Sequence, residues 1–344
     1  STFRNEVHVV GLVLGADQEN PYDVLALNGA SAALMLSGIP FEGPVGAVRL
    51  SYSADGEWLP HPTYAESDAG SFDMVVAGRQ LDGSDGEPGD IAVMMVEAGG
   101  TEGAWELYEE GAPKVDEEAL AAGLEASKAH IAAMIDLQRQ PVEGHHETHG
   151  TPEPIAWVPQ VDYTPEVADA VAAAAGDRIS ETAAIADKAE RTAAEAALRD
   201  DLVAQVAGAA DEADRGSVEK QAKAAFRAAT KEAVRSRIVN EGARIDGRGP
   251  ADLRPLSSEV GVIPTAHGTG LFQRGETQVM NITTLGIGRM DQMIDGIDPV
   301  TKKRYMHHYN FPPFSTGETG FMRGPKRREI GHGALAERAV FPVV

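Results

Sequence analysis

The alternation of hydrophobic and polar positions changes character along this chain. Residues 5–14 (NEVHVVGLVL) alternate and then run apolar, the pattern of a buried strand. Residues 23–37 (DVLALNGASAALMLS) have helical spacing and small side chains suited to close packing on a sheet, and Gly38-Ile39-Pro40 stops them. Residues 46–51, 57–60, 72–77 and 90–97 read as further strands separated by Gly-rich turns. Helical spacing returns over 118–139 through Leu120, Leu124, Ile131, Met134 and Ile135. Residues 1–139 are thus predicted to form an α+β unit of strands followed by a long helix.

The periodicity then lapses. Residues 140–163 are rich in Pro, Gly and His and are predicted to form a linker. Residues 164–243 are Ala-rich, charged and nearly free of Gly and Pro, which predicts helices over 165–175, 178–207 and 216–240. From residue 244 to 344 strand patterns resume at 258–264, 269–272, 277–284 and 304–311, and the chain closes on an apolar, strand-like Phe341-Pro342-Val343-Val344. The whole is predicted to be α+β, with two partial β-α cores flanking an all-α domain. The opening without Met and the apolar close lead us to expect a segment of a longer protein.

Charge sharpens this division. The net charge is -23, yet residues 1–215 carry 11 Lys and Arg against 40 Asp and Glu, while residues 216–344 carry 19 against 13. A reversal of sign within one chain predicts a basic functional surface on an acidic body. There is no Cys, which excludes disulfides and thiolate metal sites. No apolar run reaches the length of a membrane helix, and the N-terminus has no signal-peptide pattern, so a cytoplasmic protein is expected.

The basic surface concentrates in Arg304–Arg338, RYMHHYNFPPFSTGETGFMRGPKRREIGHGALAER. Arg323, Lys326, Arg327 and Arg328 offer cations, and adjacent Arg forks suit phosphate oxygens. Tyr305, Tyr309, Phe311 and Phe314 offer faces on which bases stack. A polyanion with stackable bases, RNA or DNA, is the predicted ligand. A second candidate is Gly268-Thr269-Gly270 with Arg274, where backbone N–H groups could meet an anion, although the spacing is that of neither a dinucleotide fingerprint nor a P-loop. A third is His145-His146-Glu147-Thr148-His149. His145 and His149 have metal-binding spacing for a helix, but Gly144, Gly150 and Pro152 place them in the predicted linker, which argues against a metal. No protein nucleophile stands out.

Taken together, Ile245-Asp246-Gly247-Arg248, Asp252-Leu253-Arg254-Pro255-Leu256, His267–Phe272 and Arg274-Gly275-Glu276-Thr277-Gln278 resemble the opening of a ribonuclease PH-type phosphorolytic core. YMHHYNFPPFSTGETG and KRREIGHGALAER are similar to the bacterial polynucleotide phosphorylase family in particular. NEVHVVG, FDMVVAG and AVMMVEAGG resemble the later half of that family's first, non-catalytic core.

The resemblance implies two ribonuclease PH-like cores joined by a helical domain, in a homotrimeric ring around an RNA channel. It implies that phosphate attacks the 3′-terminal phosphodiester of RNA and releases nucleoside diphosphates, reversibly. Arg327 and Arg328 match arginines expected on RNA phosphate or the attacking phosphate, and His332 matches an active-face histidine. Arg338, Lys326, Arg323 and Arg274 are expected to bind RNA or phosphate. Mg2+ or Mn2+ and inorganic phosphate are the implied cofactors, with their ligands expected beyond Val344. Ser71 stands where the catalytic core has a metal-binding Asp. RNA 3′ ends and an RNA-degradation complex are the implied partners. The segment alone is expected to be inactive; the alternative is an RNA-binding or assembly module without catalysis.

Overall fold

A computed structural model of the chain describes residues 2–84 and 88–344. Residues 85–87, within the Gly-rich turn predicted before residue 90, lie outside the described residues. The chain divides into two compact units, one of residues 7–156 with 286–344 and one of residues 1–6 with 157–285.

The first unit is built on an antiparallel sheet. Its elements are α1 (Asp23–Leu36), β1 (Val45–Tyr52), β2 (Trp58–Pro60), α2 (Tyr64–Ala69), β3 (Phe72–Gln80), β4 (Ile91–Gly100), α3 (Ala104–Glu109) and α4 (Glu117–His149). Strand order is β2-β1-β3-β4. One sheet face meets α4, where Val48, Leu50, Met74, Val76 and Ile91 close around Ile131 and Ile135. Val24 of α1 packs with Ala47, Val75 and Ala77. β1 and β3 are therefore buried on both faces, which is why their sequences run apolar instead of alternating. Gly46 permits the close approach of α4, since a Cβ there would lie 2.5 Å from the Ile131 carbonyl oxygen.

Two expectations for this unit fail. Residues 5–14 do not form a strand. They find no ladder partner among the described residues, and Val10, Leu12 and Leu14 remain exposed. The predicted linker at 140–163 is helical as far as His149, with Pro141 inside α4. A proline in a helix interior removes one backbone hydrogen bond. Packing offsets that loss: Val142 is buried, and Gln138 Nε2 donates to Val45 O at 3.0 Å and to Asn28 Oδ1 at 3.1 Å.

The second unit contains α5 (Pro165–Ala175), α6 (Arg178–Ala183), α7 (Lys188–Gly208), α8 (Arg215–Glu241) and the sheet β5 (Leu256–Val260), β6 (Gly268–Arg274) and β7 (Thr277–Thr283). Thr164 caps α5 with Pro165 at its first position, and Gly242 ends α8 in the left-handed region. The helix predicted over 178–207 is two. Asp187 caps a fresh start by accepting from Glu190 N, and buried Arg191 ties the break by donating to the carbonyls of Ile185 and Ala186. Leu202, Val206 and Phe226 centre the helical core.

The compact units do not divide at residue 244. Arg191 donates to Ile245 O at 3.1 Å and Lys188 pairs with Glu276 at 2.9 Å, which keeps β5–β7 with the helices. Residues 286–344 instead join the first unit, bringing β8 (Gln292–Met293), β9 (Lys302–Lys303) and α9 (Arg327–Val340). Here Asp298 is gripped by two hydroxyls: Tyr22 donates to Oδ2 at 3.1 Å and Tyr64 to Oδ1 at 3.0 Å.

Burial and the Asp298 charge hold the Tyr64 hydroxyl protonated, pushing its pKa up to about 12. The hydrogen bond to Asp298 likewise raises Tyr22. A raised folded pKa stabilises the fold fully below the ordinary tyrosine value of 10.0, and that stability is lost as pH rises through about 12. Asp298→Asn removes the charge and is expected to make both tyrosines ionise earlier, read from phenolate absorbance against pH. An unchanged titration would contradict the clamp.

Candidate nucleic-acid interface

Residues 304–311 were predicted as a strand and are not one. The reason lies in α9. His307 N donates to Glu337 Oε2 and Phe311 N to Glu329 Oε1, both at 2.9 Å. Eight helical residues rise about 12 Å, and four extended residues span about 13 Å. The two carboxylates are thus spaced to replace a neighbouring strand, and the segment runs antiparallel to the helix. Gly333 allows the approach, since a Cβ there would meet the His307 carbonyl oxygen at 3.3 Å and Tyr309 Cβ at 3.5 Å.

This clamp arranges the predicted site residues. Tyr309 stacks on His332 with ring centroids 5.5 Å apart, and on Phe311 at 6.2 Å. The Arg328 guanidinium sits 4.1 Å above the Phe311 ring, a cation–π seat that fixes its position. Arg327 begins α9, is exposed, and has no ion-pair partner among the described residues. Glu329 Oε2 accepts from Lys326 N at 2.7 Å, capping the helix start. Bonds from the Lys326 and Phe311 amides hold the Glu329 carboxyl below the usual range, so it stays charged in the clamp. The positive end of α9, with Lys326, Arg327 and Arg328, forms an exposed cationic edge.

Other predicted residues fall differently. Tyr309 and Phe311 have one face each covered by His332 and Arg328, so the open aromatic surface is at Phe314, 71% exposed, and Phe321, 85% exposed. Arg323 is exposed beside Phe321 in the sequence. Arg338 is engaged by Glu97 of β4. It ties α9 to the sheet through an exposed ion pair. Arg274 ends β6 in the other unit, ahead of the turn at Gly275, and is exposed. Gly268 and Gly270 are not an anion loop. They are strand residues paired with Thr283 and Asn281.

Ser71, which stands where the catalytic core has a metal-binding Asp, also has a definite environment. Ser71 is fully buried and its Oγ has no hydrogen-bond partner among the described residues. Asp73 is paired with Arg49, which also holds Asp23. A guanidinium seated on this carboxylate neutralises it and repels a dication. Ser71 and Asp73 do not fit a divalent ion.

Sequence reasoning passed over α8. This helix carries Arg215, Lys220, Lys223, Arg227, Lys231, Arg235 and Arg237 against Glu219, Glu232 and Glu241. Lys223, Arg227, Lys231 and Arg235 recur every fourth residue, which lines them along one ridge. All four are exposed, and only Lys223 among them has a carboxylate partner among the described residues, Glu219 at 2.6 Å. The i, i+4 spacing was the available signal. Helix propensity alone had marked this region as scaffold.

Comparison with known proteins places these features. Residues 166–249 match the family model described as "Polyribonucleotide nucleotidyltransferase, RNA binding domain", and residues 252–344 match "3' exoribonuclease family, domain 1". The chain is 50% identical to the polyribonucleotide nucleotidyltransferase of Acidothermus cellulolyticus over 99% of its own length and 42% of that protein's. It is 50% identical to the namesake from Frankia alni, covering 45% of it, and 48% identical to that of Mycobacterium avium, covering 44%, again over 99% of this chain. The chain therefore spans less than half the length of these curated relatives. Carrying both family domains and this identity along nearly all its residues, the chain belongs to the polyribonucleotide nucleotidyltransferase family.

Proposed function

We propose that this chain forms part of a 3′-to-5′ phosphorolytic exoribonuclease, and that it supplies RNA-contacting surface to that enzyme. The observation that carries the proposal is the start of α9, where Arg328 is seated on Phe311 and Arg327 stands beside it with no ion-pair partner among the described residues. In this reading Arg327 and Arg328 take oxygens of the RNA 3′-terminal phosphodiester or of the attacking phosphate. Two adjacent guanidinium groups, Arg328 held in place by Phe311, stabilise charge that grows on phosphate oxygens during transfer. His332, braced by Tyr309, presents a ring nitrogen on the same turn-and-a-half of helix. The α8 ridge tracks the RNA backbone as a row of point charges. The description of the model matched over 166–249 as an RNA binding domain supports that role.

The proposal extends to a homotrimer acting on RNA 3′ ends in the cytoplasm, within an RNA-degradation complex, with Mg2+ or Mn2+ and inorganic phosphate as cofactors of the whole protein. Similarity to the phosphorylase family supports these points. No described helix is long and apolar enough to cross a membrane.

A second reading, an RNA-binding or assembly module without catalysis, is favoured by the Arg49–Asp73 pair, which occupies the carboxylate nearest Ser71 in sequence and leaves it unsuited to a metal. Incubating the 344-residue chain with poly(A), phosphate and magnesium is expected to give salt-sensitive RNA binding and no nucleoside diphosphate. Robust diphosphate release would overturn the expected inactivity of the segment. Absence of RNA binding at low salt would overturn both readings.

A further inference from the structure

Helix α4 carries chemistry that the RNA interface does not use. His145-His146-Glu147-Thr148-His149 closes the helix instead of lying in a linker. His145 and His149 are four residues apart, so they share one face. Their rings stack with centroids 4.4 Å apart and planes 18° from parallel. The His149 Nδ1 lies 3.3 Å from the His145 carbonyl oxygen. A carbonyl can only accept, so that contact places the proton on Nδ1 and leaves Nε2 with its lone pair. A backbone carbonyl holding one ring nitrogen is the usual outer partner of a metal-binding histidine.

The surroundings favour a cation. Both imidazoles are exposed, at the negative end of a long helix. Glu143 and Glu147 lie on the same turns, and no Lys or Arg occurs between Arg139 and Arg178. A metal bound about 2.05 Å from each of two nitrogens in a tetrahedral site separates them by about 3.3 Å. In the stack the in-plane lone pairs run side by side, so the exposed His145 ring turns about its side-chain bonds on binding to bring its nitrogen and Nε2 of His149 onto one ion.

We propose that His145 and His149 chelate a late first-row divalent cation of the Zn2+ class, through Nε2 of His149 and one ring nitrogen of His145. Imidazole pairs at this helical spacing suit Zn2+, Ni2+ and Cu2+ and not the hard Mg2+. Among the described residues no group of three or more His, Cys, Asp or Glu is placed to hold a metal. The site is therefore a two-point chelate whose remaining positions take water, open to a further ligand.

Calorimetric titration of the chain with Cu2+, Ni2+, Zn2+ and Mg2+ tests this. One saturable step is expected, tightest for Cu2+ and absent for Mg2+. His145→Ala and His149→Ala should each weaken Ni2+ and Zn2+ binding about tenfold or more. His8→Ala, at an exposed histidine outside α4, should leave binding unchanged. Circular dichroism checks the helix. If an alanine variant loses helical signal, His149→Gln at the last residue of α4 replaces it and should weaken binding equally. Unaltered affinity in the folded histidine variants, or equal binding of Mg2+, would overturn the site.

Discussion

Replacing Arg327 and Arg328 together by Ala is expected to weaken binding of single-stranded RNA about tenfold or more at low salt. Each charge-assisted contact to phosphate contributes about 1.5–3 kcal/mol when formed, less where water screens it. The salt dependence gives a sharper reading. Each phosphate neutralised on a single strand adds about -0.7 to the slope of log affinity against log salt, so the double variant should flatten that slope by about 1.4. Arg338→Ala provides the contrast. Its guanidinium is committed to Glu97, with side chains 44% and 48% exposed. Its loss should change RNA affinity by less than about threefold and loosen α9 on β4 by only about 0–1 kcal/mol. Equal effects of Arg338→Ala and the double variant would show that the residues are interchangeable surface cations.

Ile131→Ala should be the most damaging single truncation in the sheet unit. Ile131 is fully buried between α4 and the strands, among Val48, Leu50, Met74 and Val76. Its carbonyl also lies beneath Gly46, where the helix and strand backbones approach closely. Tight backbone packing limits how far the cavity can collapse, so the cost should approach the middle of the range for such changes, about 3 kcal/mol. Urea unfolding followed by tryptophan fluorescence reads this through Trp58, which packs against the same core. A loss below about 1 kcal/mol would mean that α4 does not close the sheet as described.

The sequence made some elements legible and hid others for physical reasons. The Ala-rich stretches announced α5 and α8 almost to the residue, because helix propensity and Gly caps agree there. The apolar runs announced β1 and β3, because strands buried on both faces need no alternation. Pro141 misled, because the burial of Val142 and the hydrogen bonds of Gln138 reside in tertiary contacts that local pattern does not carry. Residues 304–311 misled in the opposite sense. Their alternation is real, yet the partner that satisfies their amides is a pair of helix carboxylates, Glu329 and Glu337.

The site was legible in identity and less so in arrangement. The cluster of Arg327, Arg328 and His332 was visible as basic residues among aromatics. Which of them is free was not. Only the fold shows Arg328 on Phe311, His332 on Tyr309 and Arg338 spent on Glu97. The α8 ridge was written in plain i, i+4 spacing, but a reading centred on one basic block left it out.

On the proposed function the α9 edge meets the 3′ end of RNA. Photo-cross-linking with an oligonucleotide carrying 4-thiouridine at its 3′ terminus tests this most directly, with the attached peptide mapped by mass spectrometry. Cross-links are expected within residues 304–338, centred near Phe314, Phe321 and the start of α9, and are expected to be lost in the Arg327→Ala, Arg328→Ala double variant. Cross-links confined to the helices of residues 165–241, unaffected by that variant, would contradict it.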